Sequence, residues 1–498
     1  MLLRKIPRWL WIALPMAYVL YFFRLGGVGV FGPDEPRYAA IGQAMARTGD
    51  WVTPRLWGQA WFEKPALTYW MTAAGFRLGL GTELAPRLPV ALLSAGFLIF
   101  FYWMVKREFG NFPAAAATII LSTSAAWVGF SQVGVTDLPL TAFFSAAMLL
   151  ALPWIAKRDT RFLAASGASL GLAVLAKGLL PLVLAAPVAL RLRWFRDLFR
   201  VRVAAPFLLI ALPWYLLCYA RNGTAFLHDF FVVQHFQRFT AEGLKHVQPW
   251  WFYLPLLPAL LLPWAPLLLA ASLGRKWRDP RRLFLALWAG FGLLFFSAST
   301  NKLPGYLMPL LPPLAILMAL GMEEGAAAGS RTIRTLLVAC ALLLAAFAAA
   351  APLLPAAIAN QWSAAPRMAF HWTWLLPLLP AAGVWLLDAR GMRVAALAVI
   401  AGGVAAAVGL VKITQEPAID RLATARPLSA DLARHPGGVC LEAVRREWVY
   451  GLDYYAGIEL PDCRTRPLPF HMVENSGFPP HLASPSSGTQ TYKMVDPR

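Results

Sequence analysis

Apolar runs of about 17–23 residues, the length that crosses a bilayer as a helix, recur along this chain and leave few folds open to it. With 59% hydrophobic and 14% charged residues over 498 positions, the sequence is too apolar for a soluble fold of its length. Hydropathy places spans near 8–25, 88–105, 112–130, 139–156, 162–176, 178–192, 203–220, 251–273, 283–299, 305–322, 333–354, 372–388 and 392–411, roughly thirteen in all. The basic start and apolar run of 8–25 resemble a signal peptide, but no small-x-small cleavage site precedes Gly26-Gly27 and many spans follow, so it reads as a retained first span.

Basic residues fall on alternate connections: Arg4, Lys5 and Arg8; Lys106 and Arg107; Lys157, Arg158 and Arg161; Arg191 to Arg202; Arg275 to Arg282; Arg331 and Arg334; Arg390 and Arg393. The positive-inside rule makes that side cytoplasmic, which puts the first loop at 26–87, the loop at 221–250 and the C-terminal tail on the outer face of an inner membrane. The net charge of +20 is therefore mostly topology, and with no basic domain behind it the composition excludes a nucleic-acid partner. On the outer face Arg37, Arg55, Lys64, Arg238 and Lys302 form a set suited to an anionic lipid headgroup.

Two segments break the membrane pattern and divide the chain into a transmembrane domain at 1–411 and a small C-terminal domain at 412–498. Within the first loop, Tyr38, Ile41, Ala44 and Met45 repeat at helical spacing, as in a helix lying in the interface. Trp51, Trp57, Trp61, Phe62, Tyr69 and Trp70 supply an interfacial aromatic belt. The tail mixes a helix near 427–434, a strand over Gly438–Glu442 and an aromatic stretch at Trp448–Tyr455, so it reads as an α+β appendage whose Pro- and Ser-rich end from about Ser476 is disordered. Cys218 and Cys340 lie within spans, whereas Cys440 and Cys463 share the tail, where an oxidising compartment makes a disulfide available.

The candidate chemistry gathers at one end of the spans. Asp34 and Glu35 sit in Gly32-Pro33-Asp34-Glu35-Pro36-Arg37-Tyr38, Glu63-Lys64-Pro65 closes the first loop, and Asp137 opens the fourth span. His235 and Arg238 lie in the 221–250 loop, and Lys302 and Tyr306 in Asn301-Lys302-Leu303-Pro304-Gly305-Tyr306. Charged residues at helix ends are ordinary one at a time; their convergence on one face points to a site where a carboxylate takes a proton from a hydroxyl and cations neutralise a leaving phosphate. No nucleotide-binding loop, metalloprotease helix or serine-hydrolase elbow is present, nor the D-x-D pair of nucleotide-sugar transferases, so the substrates are not read as nucleotides.

At these residues the sequence resembles a family. Asp34-Glu35-Pro36-Arg37-Tyr38, Gly49-Asp50-Trp51, Pro54-Arg55-Leu56, Phe62-Glu63-Lys64-Pro65 and Ala85-Pro86-Arg87-Leu88-Pro89 look like the first-loop signature of lipid-carrier-dependent glycosyltransferases. The bacterial lipid A aminoarabinose transferases, relatives of the protein O-mannosyltransferases, are the most similar. The likeness continues through Thr136-Asp137, Ala176-Lys177-Gly178, His235–Phe239 and Lys302–Tyr306, covering about residues 1–310. It implies an all-α polytopic membrane protein of the GT-C fold with about thirteen spans, carrying a small α+β extracytoplasmic C-terminal domain. It also implies a polyprenyl-phosphate sugar donor and a lipid or lipopolysaccharide acceptor. Carried over, Asp34 is the essential carboxylate, with Glu35 beside it and Asp137 a second acid. Lys64, Arg238 and Tyr306 form the donor-phosphate clamp, with Arg37, Tyr38 and Lys302 alongside. A divalent metal ion is the one cofactor the resemblance raises, with Glu63 and His235 as candidate ligands.

Transfer to protein hydroxyls is the nearest alternative, and a transporter of lipid-linked sugars the alternative of a different class. A transporter places its charges and broken helices near the middle of the bilayer and is built from repeats; here the charges gather at one face and no repeat is visible.

Overall fold

In an apolar environment every backbone N–H and C=O must find its partner within its own segment, which makes helix the default for this chain. The computed structural model describes residues 10–186, 201–237, 247–272, 277–327, 331–360, 362, 365–368, 378–474 and 479–483, with the backbone alone for 10, 235–237 and 326–327. Among these, seven helices are long and apolar enough to cross a membrane: Gly81–Phe109, Asp137–Lys157, Val201–Gln234, Pro280–Ala298, Pro304–Gly325, Arg331–Ala359 and Arg393–Thr414. Trp250–Leu260 and Ala265–Ser272 form an eighth if taken together, bent by 114° at the break.

The count of roughly thirteen spans, drawn from hydropathy, is thus not what length and composition single out among the described residues. The difference arises where apolar runs break. The run at 112–130 divides into Asn111–Ser122 and Ala125–Phe130, because the hydroxyls of Thr123 and Ser124 donate back to the carbonyls of Ile119 and Leu121 and compete with the helix. The run at 251–273 carries Pro258, Pro263 and Pro266, each without an amide to continue the ladder. The two breaks satisfy one another. Ala125 N donates to the Leu262 carbonyl at 2.8 Å, and the Trp264 indole donates to Thr123 Oγ1 at 2.9 Å. Leu10–Tyr21 and Leu163–Lys177 are short apolar helices of 12 and 15 residues. Parts of the expected spans at 8–25, 178–192 and 372–388 lie outside the described residues.

The first loop is ordered by its own helices. We label Leu10–Tyr21 α1, Asp34–Thr48 α2, Leu67–Arg77 α3 and Gly81–Phe109 α4. Asp34 and Glu35 occupy the first turn of α2, where the helix dipole favours negative charge. α2 packs on α3 through Tyr38 against Tyr69, ring centroids 5.6 Å apart. The expected interfacial helix at 36–47 therefore exists, but it is packed against protein: Tyr38, Ala39, Ile41 and Met45 are buried. Between α2 and α3 a two-residue hairpin pairs Arg55–Leu56 with Gln59–Ala60. The loop is pinned to the helix Val201–Leu227 by the Trp214 indole on the Val52 carbonyl, 3.0 Å, and by Asn222 on Thr53 Oγ1, 2.9 Å.

The tail folds as a small α+β unit. Val439–Glu442 pairs in parallel with Phe470–Val473, which pairs antiparallel with His481–Ala483. Leu432, Val439, Leu441, Trp448, Leu452 and Met472 form its core, and a disulfide joins Cys440 to Cys463. The expectation of disorder from about Ser476 is corrected at His481–Ala483, which complete the sheet; residues 475–478 and 484–498 lie outside the described residues. This unit is docked on the first loop. Arg426 donates to the carbonyls of Gly26 and Gly27, and Gly29 N donates to Asp420 Oδ1 at 2.7 Å. Tyr455 accepts from Val30 N and donates to Glu83, and Tyr454 donates to the Thr82 carbonyl. Gly29 is glycine for lack of room: a Cβ there would lie 2.7 Å from both the Arg426 Cβ and the Tyr455 hydroxyl.

Asp453, on the helix Arg446–Ala456, is buried and accepts from Leu460 N at 2.9 Å. Burial pushes its carboxyl up to about 7, against the Leu460 hydrogen bond and with a contribution from Glu459. The folded chain then keeps a proton that an unfolded aspartate releases near pH 4, so stability falls as the pH rises from about 4 through about 7. Asp453→Asn is expected to flatten that fall, seen as a thermal midpoint changing less than wild type between roughly pH 5 and pH 8.

Candidate active site

Asp34 and Glu35 are adjacent in sequence and opposite in circumstance. The Asp34 side chain is 44% exposed. Glu35 is 1% exposed, and its two oxygens take a paired contact from Arg87, with 2.7 Å from Nε to Oε1 and 2.7 Å from Nη2 to Oε2. Glu35 also accepts from Phe31 N at 3.1 Å and Gly134 N at 2.9 Å. Arg87 completes the arrangement by donating to the carbonyls of Leu25, Val28 and Gly29, so that all five of its N–H groups are used. A carboxylate so enclosed has no face for a substrate. The geometry gives Glu35 to the architecture of the loop and leaves Asp34 the accessible carboxylate of the two.

Arg37, one turn on, is buried beneath Asp34. Its Nη2 donates to Asp34 Oδ1, Nη1 to Glu63 Oε2 at 2.7 Å and Nε to the Pro33 carbonyl at 2.8 Å. Burial opposes its charge, but Glu63 and Asp34 outweigh burial and hold the guanidinium more firmly protonated than usual. The expectation that Arg37 helps grip a phosphate is corrected by this geometry: its donors face two carboxylates and a carbonyl. Aromatic rings cover its faces, with centroids 5.7 Å away for Trp61, 5.9 Å for Tyr38 and 4.9 Å for Tyr450. Tyr38 is itself buried; burial, with the charges of Asp34 and Glu63, keeps its hydroxyl protonated well above its ordinary pKa.

Glu63 continues the chain of charges. Its second oxygen lies 3.1 Å from Lys64 Nζ, so the loop presents Asp34, Arg37, Glu63 and Lys64 as alternating acid and base. A divalent cation at Glu63 would meet a guanidinium and an ammonium already seated on its two oxygens, and Coulomb repulsion at that range opposes it. The side chain of His235, the other candidate ligand, lies outside the described residues. Glu63 as it stands does not fit a metal.

The second acid has a partner that sequence reasoning left without a role. Asp137 opens the helix Asp137–Lys157 and meets Lys177, the last residue of Leu163–Lys177, with Nζ 2.7 Å from Oδ1. The same ammonium lies 5.0 Å from the centroid of the Tyr306 ring. Gly305 permits this approach, since a Cβ there would sit 2.4 Å from Asp137 Oδ1. Lys177 was present in the Ala176-Lys177-Gly178 motif, but only the fold joins it to Asp137 and Tyr306. Lys302 is corrected in the opposite sense. It is buried and donates to the carbonyls of Gln248, at 2.9 Å, and of Ser299, which clips two connections together instead of facing a ligand. Arg238 lies outside the described residues.

Comparison with known proteins gives this geometry its setting. Residues 63–219 match the family model for dolichyl-phosphate-mannose-protein mannosyltransferase. Undecaprenyl phosphate-alpha-4-amino-4-deoxy-L-arabinose arabinosyl transferase 1 of Pseudomonas fluorescens (strain Pf0-1) is 37% identical over 333 residues, 63% of this chain and 58% of the relative. A second transferase of that name from the same strain is 34% identical over 361 residues, 68% of this chain and 65% of the relative. The chain thus spans somewhat over half the length of the curated relatives it matches. The crystal structure of ArnT from Cupriavidus metallidurans bound to undecaprenyl phosphate superposes with a TM-score of 0.74 and 27% identity, covering 91% of this chain and 85% of that one. The archaeal oligosaccharyltransferase AglB of Archaeoglobus fulgidus, at 11% identity and a TM-score of 0.56, shares the fold alone.

Breaking a buried ion pair by removing one partner leaves the other charge uncompensated, at a cost of about 3–5 kcal/mol. Glu35→Ala and Arg87→Ala are each expected to lower the thermal midpoint of the detergent-purified chain well below that of Asp34→Ala. A wild-type midpoint for Glu35→Ala would show that the pair does not hold the loop.

Proposed function

For a chain that is lipid A aminoarabinose transferase-like in sequence, multi-pass in the membrane and GT-C in fold, we propose that it moves a sugar from a polyprenyl phosphate to a lipid A or lipopolysaccharide-type acceptor at the periplasmic face of the inner membrane. The observation that carries this reading is the half-exposed Asp34, held by a buried arginine, in the same loop as Lys64. The likeness to a solved ArnT with undecaprenyl phosphate bound supports the donor class. The alternation of basic connections and the Cys440–Cys463 disulfide support the outward orientation of the loop and tail.

In the proposed reaction Asp34 takes the proton from an acceptor hydroxyl as that oxygen bonds to the anomeric carbon. The bond from that carbon to the phosphate oxygen breaks, and polyprenyl phosphate leaves with the electron pair. Its departing charge is already stable, so the site needs cations more than a protonating acid. Lys64 and Tyr306 are the groups proposed to receive the phosphate, with Arg238 carried over by resemblance. Lys177 holds Asp137 and lies over the face of Tyr306, and so positions both. The description of the matched family model favours a second reading, in which the acceptor is a protein hydroxyl. The mass of the product separates the two.

Asp34→Asn is expected to reduce incorporation from a synthetic undecaprenyl-phosphate sugar by about a hundredfold or more with unchanged expression, as loss of a general base does. Residual transfer close to wild type would remove Asp34 from that role. Lys64→Ala is expected to weaken binding of undecaprenyl phosphate itself by about tenfold, the scale of one charged hydrogen bond. An unchanged affinity would take Lys64 out of the clamp.

A further inference from the structure

Arg37 is the hinge of the first-loop cluster, and one of the surfaces that encloses it comes from the far end of the chain. Tyr450 lies on the helix Arg446–Ala456 of the C-terminal unit, with its ring centroid 4.9 Å from the Arg37 guanidinium carbon. Trp61 and Tyr38, from the loop itself, stand farther off at 5.7 and 5.9 Å. On the same Tyr450 ring lies Arg446, 5.5 Å from its centroid and exposed. One aromatic ring therefore serves two guanidinium groups, one sealed inside the loop and one open to solvent.

The placement of the ring is fixed on both sides. Four and five residues further along the same helix, Tyr454 and Tyr455 are hydrogen-bonded to Thr82 and Glu83 at the start of α4, and Tyr455 also accepts from Val30 N. Residues four apart on a helix share a face, so the contacts that dock Tyr454 also aim Tyr450 at Arg37. Arg37 needs that enclosure. Its three polar contacts run to Asp34, Glu63 and Pro33, and its flat faces are left to aromatic rings, where a desolvated guanidinium–ring contact is worth more than an exposed one.

We propose that Tyr450 is a positioning residue for the transfer reaction: through its ring face the C-terminal unit holds Arg37, and through Arg37 it aims the Asp34 carboxylate. The proposal rests on the glycosyltransferase reading for its effect on catalysis, and on contact geometry alone for its effect on Arg37. The hydroxyl of Tyr450 takes no part; the ring does.

The experiment uses the full chain in detergent, with Tyr450→Phe, Tyr450→Leu and Tyr450→Ala beside the wild type. The first readout is modification of Arg37 by phenylglyoxal, followed by peptide mass spectrometry. Wild type and Tyr450→Phe are expected to protect Arg37, and Tyr450→Ala to expose it to labelling several-fold faster. The second readout is steady-state transfer from a synthetic undecaprenyl-phosphate sugar. Tyr450→Phe is expected to stay within about twofold of wild type, while Tyr450→Leu and Tyr450→Ala lose about tenfold in kcat with little change in the donor KM, as for an interaction felt in the transition state. Protection of Arg37 in Tyr450→Ala, or equal kcat for Leu and Phe at 450, overturns the proposal. If Tyr450→Ala does not yield folded protein, the comparison of Leu with Phe decides. If the wild type transfers no sugar, the glycosyltransferase reading falls, and the labelling of Arg37 still decides whether Tyr450 covers it.

Discussion

The pairing of Glu35 with Arg87 is the constraint on which the end of the molecule that bears Asp34 depends. One guanidinium gathers the carboxylate at the start of α2, three carbonyls of the segment leading out of α1, and through Glu35 the amide of Gly134. Four stretches of chain meet at a point where water is excluded. The attraction between the two charges is strong there, and so is the penalty for leaving either alone. Two acidic residues side by side look redundant in the sequence. Folded, they are complementary: the buried one fixes where α2 begins, and the exposed one inherits that position.

A second theme is that Asp34 and Asp137 each have a cation of their own. Arg37 serves Asp34 within α2, and Lys177 reaches Asp137 across two helices. Both cations also lie near an aromatic ring, Tyr450 in one case and Tyr306 in the other. Fixed charges of this kind stabilise a reacting group without reorganising when it reacts, which is the property a site for a charged leaving group requires. Lys302 shows the contrast. Its ammonium faces backbone carbonyls and secures the approach to Pro304–Gly325, a structural duty for a residue of the same type.

Much of the fold was legible in the sequence because hydropathy reports environment directly. The runs at 139–156, 283–299, 305–322, 333–354 and 392–411 correspond to helices that reach a few residues further at one or both ends. The breaks were less visible. Thr123-Ser124 and the prolines around 263 are readable as irritants to a helix, but that the two interruptions satisfy each other is a fact about contact. The same holds at the site. Asp34 and Lys64 stood out because they are charges in short motifs beside a span. Arg87 stood in a motif too, yet nothing local says that it lies against Glu35, 52 residues earlier, and the 40 residues between Asp137 and Lys177 hide that pair equally well. Arg37 was legible as a cation, but only its neighbours in space reveal that it is buried with three of its N–H groups on Asp34, Glu63 and the Pro33 carbonyl.

The docking of the tail on Gly26–Val30 has a consequence for the order in which the molecule comes into being. Chains are made from the N-terminus, so the first loop emerges early, whereas Asp420 and Tyr455, which take up the amides of Gly29 and Val30, follow 391 and 425 residues later. Until then the loop that bears Asp34 has its internal contacts but not its roof. Translation therefore delivers the Asp34 carboxylate long before the surface that encloses its arginine, and the cluster is closed last by the part of the chain that sequence motifs describe least.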